Sequence, residues 1–132
     1  MSLNVAIVGS GPAGFYTAEA LSKGEGADVR IDIIDRLATP FGLIRAGVAP
    51  DHQTTKRVAE AFGRTALRDE VRYFGNVKVG RDVSLDELRE VYDAVVLAVG
   101  APFDHLMKVP GEDKLGVYGS AKVGGPKREG NA

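Results

Sequence analysis

An α/β fold on a parallel sheet is what this sequence predicts, and three observations predict it. An apolar run, Val5-Ala6-Ile7-Val8, leads straight into Gly9-Ser10-Gly11-Pro12-Ala13-Gly14, which has the spacing G-x-G-x-x-G. An alanine-rich helical pattern follows. A second apolar run, Ile31-Asp32-Ile33-Ile34, then ends in an acid, Asp35, about 20 residues past the glycines. Strand, glycine turn, helix, strand and acid make one βαβ unit of a Rossmann-like, three-layer, nucleotide-binding fold.

Each part of that unit has a physical task. Gly9 permits the tight turn out of the strand, Gly11 lets the backbone approach a pyrophosphate, and Gly14 lets helix and strand pack closely. The first helical amides point at the phosphates, and the helix dipole favours their charge. Pro12 suits the first turn, where a missing N–H costs nothing. Asp35 is placed to accept hydrogen bonds from an adenosine ribose. A structural glycine turn is the alternative, and the acid ending the second strand speaks against it.

Composition narrows the class. The 132 residues suffice for one domain, and 44% apolar with 27% charged residues is ordinary for a globular chain. A net charge of −1 points away from nucleic acid and membrane surfaces. There is no apolar run of about 18 residues, so no membrane span is expected. The start lacks the basic segment of a signal peptide, and a cytoplasmic location follows as the default. The chain has no cysteine, which excludes disulfides and thiolate metal sites, and no metal-ligand spacing, P-loop or Ser/His/Asp order is present.

The remaining elements follow in order. Residues 4–8 read as the first strand and 12–23 as a helix with Phe15, Ala18 and Leu21 on one face. Gly24 and Gly26 offer a left-handed cap, and 30–35 is the second strand. Residues 36–50, rich in Gly and Pro, read as a loop; its apolar residues predict that it packs over something. Asp51 can cap a helix from 52 or 53 to about 67, with Val58, Ala61, Phe62 and Thr65 inward. Short strands at 71–74 and 77–79 around Gly75-Asn76 suggest a hairpin. Ser84-Leu85-Asp86-Glu87 is a capping box opening a helix through Val91. The run 94–99 reads as a buried parallel strand, and Gly100-Ala101-Pro102 stops it. Composition past 119 predicts a mobile end.

Two further groups are candidates for chemistry. In the segment from Thr39 to His52, apolar groups beside glycines suit a flat aromatic ring, and His52 suits proton shuttling. The competing reading is that Asp51 caps the helix and His52 sits in its first turn. Gly100 and Ala101 fall at the carboxyl edge of the sheet, where ligands of open α/β folds bind, although Gly100 also serves as a plain strand terminator.

Four segments carry a resemblance: 5–21, 40–58, 73–83 and 94–101. Pro40-Phe41-Gly42-Leu43-Ile44-Arg45-Ala46-Gly47-Val48-Ala49-Pro50-Asp51-His52 and Phe74-Gly75-Asn76-Val77-Lys78-Val79-Gly80-Arg81-Asp82-Val83 are far more specific than the glycine motif. The chain resembles the N-terminal part of the adrenodoxin-reductase-like family of ferredoxin–NADP⁺ reductases. That resemblance implies an FAD/NAD(P)-binding fold holding FAD, with NADP(H) as co-substrate and a ferredoxin-type iron–sulfur protein as electron acceptor. It implies that Gly9, Gly11, Pro12, Ala13 and Gly14 cradle the pyrophosphate. Asp35 stands at the family's ribose acid, where Glu is common. Gly42 and Leu43 would lie by the ribityl chain and flavin, Val83 would meet the adenine through its backbone, and Gly100 and Ala101 would close over the nucleotide. His52 matches a family histidine near the flavin.

The match covers 1–120 as the opening part of a FAD-binding domain; 121–132 does not continue the pattern, and the family's NADP-binding domain and final segment have no counterpart. The expected result is an incomplete sheet with an open edge, favouring self-association or weak FAD binding. A nucleotide-binding fragment without catalysis, or a short NAD(P)-binding domain using Arg36 beside Asp35, are the competing functions.

Overall fold

The structure, a computed structural model, describes residues 2–24, 28–46, 53–101 and 103–119. Four strands, β1 (Ser2–Val8), β2 (Asp28–Ile34), β3 (Val71–Phe74) and β4 (Ala94–Leu97), form one sheet in the order β3-β2-β1-β4. Every neighbouring pair is parallel. The register aligns Val8 with both Ile34 and Leu97, and Ile34 with Phe74, so all four strands end level at their carboxyl side. Four helices connect them: α1 (Pro12–Lys23), α2 (Gly42–Ala46), α3 (Gln53–Ala66) and α4 (Leu85–Val91).

Side-chain alternation along β1 and β2 divides the core between two faces. On one, Val5, Ile7, Ile31, Ile33 and Val71 meet Phe15 and Ala18 of α1 and Phe62 of α3. Phe15 and Phe62 are fully buried and stacked, with centroids 5.1 Å apart. Truncating a buried aromatic costs about 3–5 kcal/mol, so this pair is what holds the two helices on the sheet. On the other face, Ala6, Val8 and Ile34 pack with Leu88 of α4 and with Val77, Val79 and Val83. Helices, sheet, and a covering helix with its leading segment make the predicted three layers.

Several boundaries differ from expectation, each for a local reason. β2 begins at Asp28, because β1 extends back to Ser2 and gives it a partner. The 36–50 segment contains α2, and it does pack: Phe41 and Ile44 lie against the first core. Gly24 sits at φ −63 in extended backbone and so is not itself a left-handed cap, while Gly26 lies outside the described residues. The suggested hairpin does not form. β3 pairs parallel to β2, and the chain after it is drawn sideways as Asn76 and Val77 donate to the carbonyls of Leu37 and Asp35. Asn76 does take a turn conformation, at φ +58. The α4 capping box is present in both halves. The fourth strand stops at Leu97 and is an edge, with Leu97 and Val99 about two-thirds exposed at 60% and 63% rather than buried. Asp51 and His52 lie outside the described residues.

Candidate functional site

The glycine turn joins β1 to α1 at the level where the strands end. Gly9 has φ +112, and a Cβ there would collide with the Ala98 carbonyl oxygen, so strand β4's exit requires glycine at this point. A Cβ on Gly14 would strike the Gly9 carbonyl, which is the close helix–strand approach expected of it. Gly11 is different: its φ is −79, and an added Cβ would meet nothing within 4 Å. The protein's own packing does not require glycine there. What the small residue preserves is bare backbone facing open space.

α1 begins without compensation for its amides. Gly11 at the N-cap makes no side-chain cap, Pro12 follows, and the first turn carries no acid. The helix N-terminus therefore keeps unpaired N–H groups and its partial positive charge, the arrangement that receives a phosphate.

Asp35 sits where β2 ends and binds the glycine turn directly. Its Oδ2 accepts from the Ser10 amide at 2.7 Å and from the Ser10 hydroxyl, and its Oδ1 accepts from the Leu37 amide at 2.9 Å. The Ser10 carbonyl in turn accepts from the Phe41 amide at 3.0 Å. That bond brings the start of α2 to the turn, where a Cβ on Gly42 would lie 3.1 Å from the Gly11 Cα. Leu43 next to it is exposed.

Between the strand ends lies a cleft of about 370 Å³ whose lining includes Gly9, Asp35, Arg36, Lys78, Val79 and Leu97. Most of its lining surface comes from aliphatic side chains and backbone, with one acid and two cations, which suits a flat heterocycle attached to a sugar and phosphates. Gly9 and Asp35 are thus in the cleft, Gly11, Pro12, Ala13 and Gly14 start the adjoining helix, and Gly42 and Leu43 stand beside Gly11. Val83 is not in the lining. It bridges to Val79, which does line the cleft, and packs under the sheet. Gly100 and Ala101 follow β4 as exposed residues outside the lining. A strand-end position just past Gly75-Asn76 was the signal that could have singled out Val79.

The loop behind Val79 is fixed by charge. Arg81 forks onto Asp82 with two contacts of 2.8 Å, and the Lys78 amide donates to the same carboxylate at 2.8 Å. The Arg81 hydrogen bond first, then that amide, lowers the Asp82 pKa to about 2.

A second polar group escaped the sequence reading altogether. Asp32, in the middle of an apolar run, is buried, with 3% exposure. Arg72 of β3 binds it through two nitrogens at 2.7 and 2.8 Å, and the Tyr92 hydroxyl donates to it at 2.6 Å. A buried carboxylate needs such partners, and a charged residue inside an apolar strand was the available signal. Burial, then the Asp32 contact, pushes the Tyr92 hydroxyl up to about 12. Among the described residues no cluster of three metal-ligating side chains occurs, and no helix is long and apolar enough to cross a membrane.

Comparison with known proteins agrees with this geometry. The profile of the pyridine nucleotide-disulphide oxidoreductase family matches residues 3–126. An NADPH:adrenodoxin oxidoreductase, mitochondrial, from Arabidopsis thaliana is 56% identical over 88% of this chain and 24% of its own length. NADPH-ferredoxin reductase FprA from Mycobacterium tuberculosis is 47% identical over 85% of the chain and 25% of its length. The structure of Mycobacterium tuberculosis FprA in complex with NADPH superposes with a TM-score of 0.84, at 43% identity, over 95% of this chain and 28% of that one. The chain spans about a quarter of the length of these relatives.

Proposed function

The chain belongs to the pyridine nucleotide-disulphide oxidoreductase family, and on that premise we propose that it forms the FAD-binding portion of a ferredoxin–NADP⁺ reductase-type flavoprotein. The observation that carries this reading is the open backbone at Gly11 beside an uncapped helix start, two residues from Gly9 in the lining of a largely aliphatic cleft. The residues present fit the cofactor. The turn Gly9, Gly11, Pro12, Ala13 and Gly14 cradles the pyrophosphate, with the free amides of the first helical turn after Pro12 as donors, and Asp35 offers its remaining acceptor site to the ribose. Val79 lines the adenine end with Val83 bridged behind it, Gly42 and Leu43 border the flavin side, and Gly100 and Ala101, outside the lining, are proposed to reach the nucleotide from the exit of β4. FAD supplies, when bound, acceptance of a hydride from NADPH and onward delivery of single electrons. His52 is proposed to handle a proton near the flavin. The electron acceptor is a ferredoxin-type iron–sulfur protein, in keeping with the names of the relatives.

The test is direct. The purified chain, titrated with FAD, is expected to quench flavin fluorescence with saturation at one site per chain, and a flat titration would overturn the reading. NADPH-dependent dye reduction by the loaded chain separates an active module from a nucleotide-binding fragment. Arg36 in the cleft favours one other reading, a site for a nucleotide 2′-phosphate; tighter binding of NADP⁺ than FAD would establish it. We also propose a cytoplasmic location. The mitochondrial naming of several relatives is the alternative, and recovery of the chain in an organelle fraction would decide for it.

A further inference from the structure

We propose that Ser10 is a positioning residue: acting through Asp35, its buried hydroxyl locks the glycine turn, the end of β2 and the 36–46 segment into one preformed frame for the dinucleotide. This role presupposes the flavin-nucleotide cleft proposed above and concerns a residue that the G-x-G-x-x-G spacing leaves free to vary.

Ser10 is fully buried, and each of its three polar groups is engaged. The amide and the hydroxyl both donate to Asp35 Oδ2, and the carbonyl accepts from Phe41. Asp35 extends the frame through its other oxygen to the Leu37 amide, and through its backbone to the Phe74 carbonyl and the Val77 amide. Four separate segments around the cleft therefore meet at one serine–aspartate pair. Phe41 lies at φ +87, a conformation that a residue bearing a Cβ leaves unless it is held. The Ser10 carbonyl and the ring of Phe15, 5.1 Å away, hold it. Phe41 in turn delivers Gly42 to the side of Gly11.

The pair also limits what Asp35 can offer. A carboxylate has about four lone-pair sites, and three protein donors already point at this one. One site remains, enough for a single ribose hydroxyl. An amide in place of the carboxylate would turn its NH₂ toward N–H and O–H donors.

FAD affinity of the full chain, measured by fluorescence quenching, tests the pair. Ser10→Ala is expected to weaken FAD binding about tenfold, as for a lost hydrogen bond to a charged group. Asp35→Asn should weaken it further, and the double variant should match Asp35→Asn alone within about twofold, because the hydroxyl acts through the carboxylate. Losses that multiply across the two sites would overturn the proposal. A measurement without variants decides the same point. In the flavin-free wild-type chain, hydrogen exchange at the Ser10, Leu37 and Phe41 amides should already be slowed, and exchange at open-chain rates would overturn the preformed frame. A wild-type chain that takes up no FAD would sink the flavin reading, while the exchange result still judges the frame.

Discussion

Gly11 and Gly14 carry the same side chain for opposite reasons, and substitution separates them. Gly14→Ala forces a Cβ into the Gly9 carbonyl, so it is expected to lower stability by about 1–3 kcal/mol in urea unfolding. Gly11→Ala meets open space at an ordinary φ. Its stability should stay within about 0.5 kcal/mol of the parent, while its FAD titration weakens at least about tenfold. Tyr92 gives a pH dependence. Its hydroxyl is raised, first by burial and then by Asp32, to about 12, whereas in the unfolded chain it ionises near pH 10. The contribution to stability is therefore complete below pH 10 and is lost as pH climbs through 12. Thermal midpoints of the wild type should fall across that window, and Tyr92→Phe should flatten the fall. The placement of the glycines and of Asp35 at the strand ends was legible because it follows from spacing along one βαβ unit. Asp32, Arg72 and Tyr92 were not, since nothing local says that three distant residues will meet under the sheet.

At the level of elements, punctuation and the parallel pairing of β1 with β2 and β4 proved readable, while the path after β3 and the cover on β4 did not. α1 starts at Pro12 and α4 after Ser84, where proline and the capping box place them. The Ser84 hydroxyl receives the Glu87 amide at 3.1 Å, and Glu87 returns to the Ser84 amide at 2.7 Å. Ser84→Ala is expected to cost about 1 kcal/mol, read as a shift of the urea midpoint, with flavin affinity unchanged. The 71–79 stretch misled because Gly75-Asn76 fits a hairpin turn in isolation. In the fold, a Cβ on Gly75 would press into the Leu37 and Ala38 carbonyls, so the glycine serves close passage of another segment. β4 misled for a related reason: an apolar run identifies a strand without telling whether a neighbour covers it.

For the molecule as a whole, that open strand dominates behaviour. β4 is an edge among the described strands, and Leu97 at its end and Val99, Phe103, Leu106 and Met107 after it in the chain are exposed. Apolar edges of this kind recruit another strand or another copy. Sedimentation velocity is expected to show association that grows with concentration, and Val99→Lys should reduce it; a monomer at every concentration would argue for a different cover. The Asp32 contacts have a consequence of another sort. They link residues 40 and 60 positions apart along the chain, and closing such loops precedes any gain from the contact. The polar link therefore forms after β2, β3 and the end of α4 have docked, late on the folding route. Its loss belongs to the unfolding arm: in stopped-flow experiments Tyr92→Phe should speed escape from the native state and leave the rate of reaching it nearly unchanged. The buried acid, in that sense, acts as a latch on time spent folded.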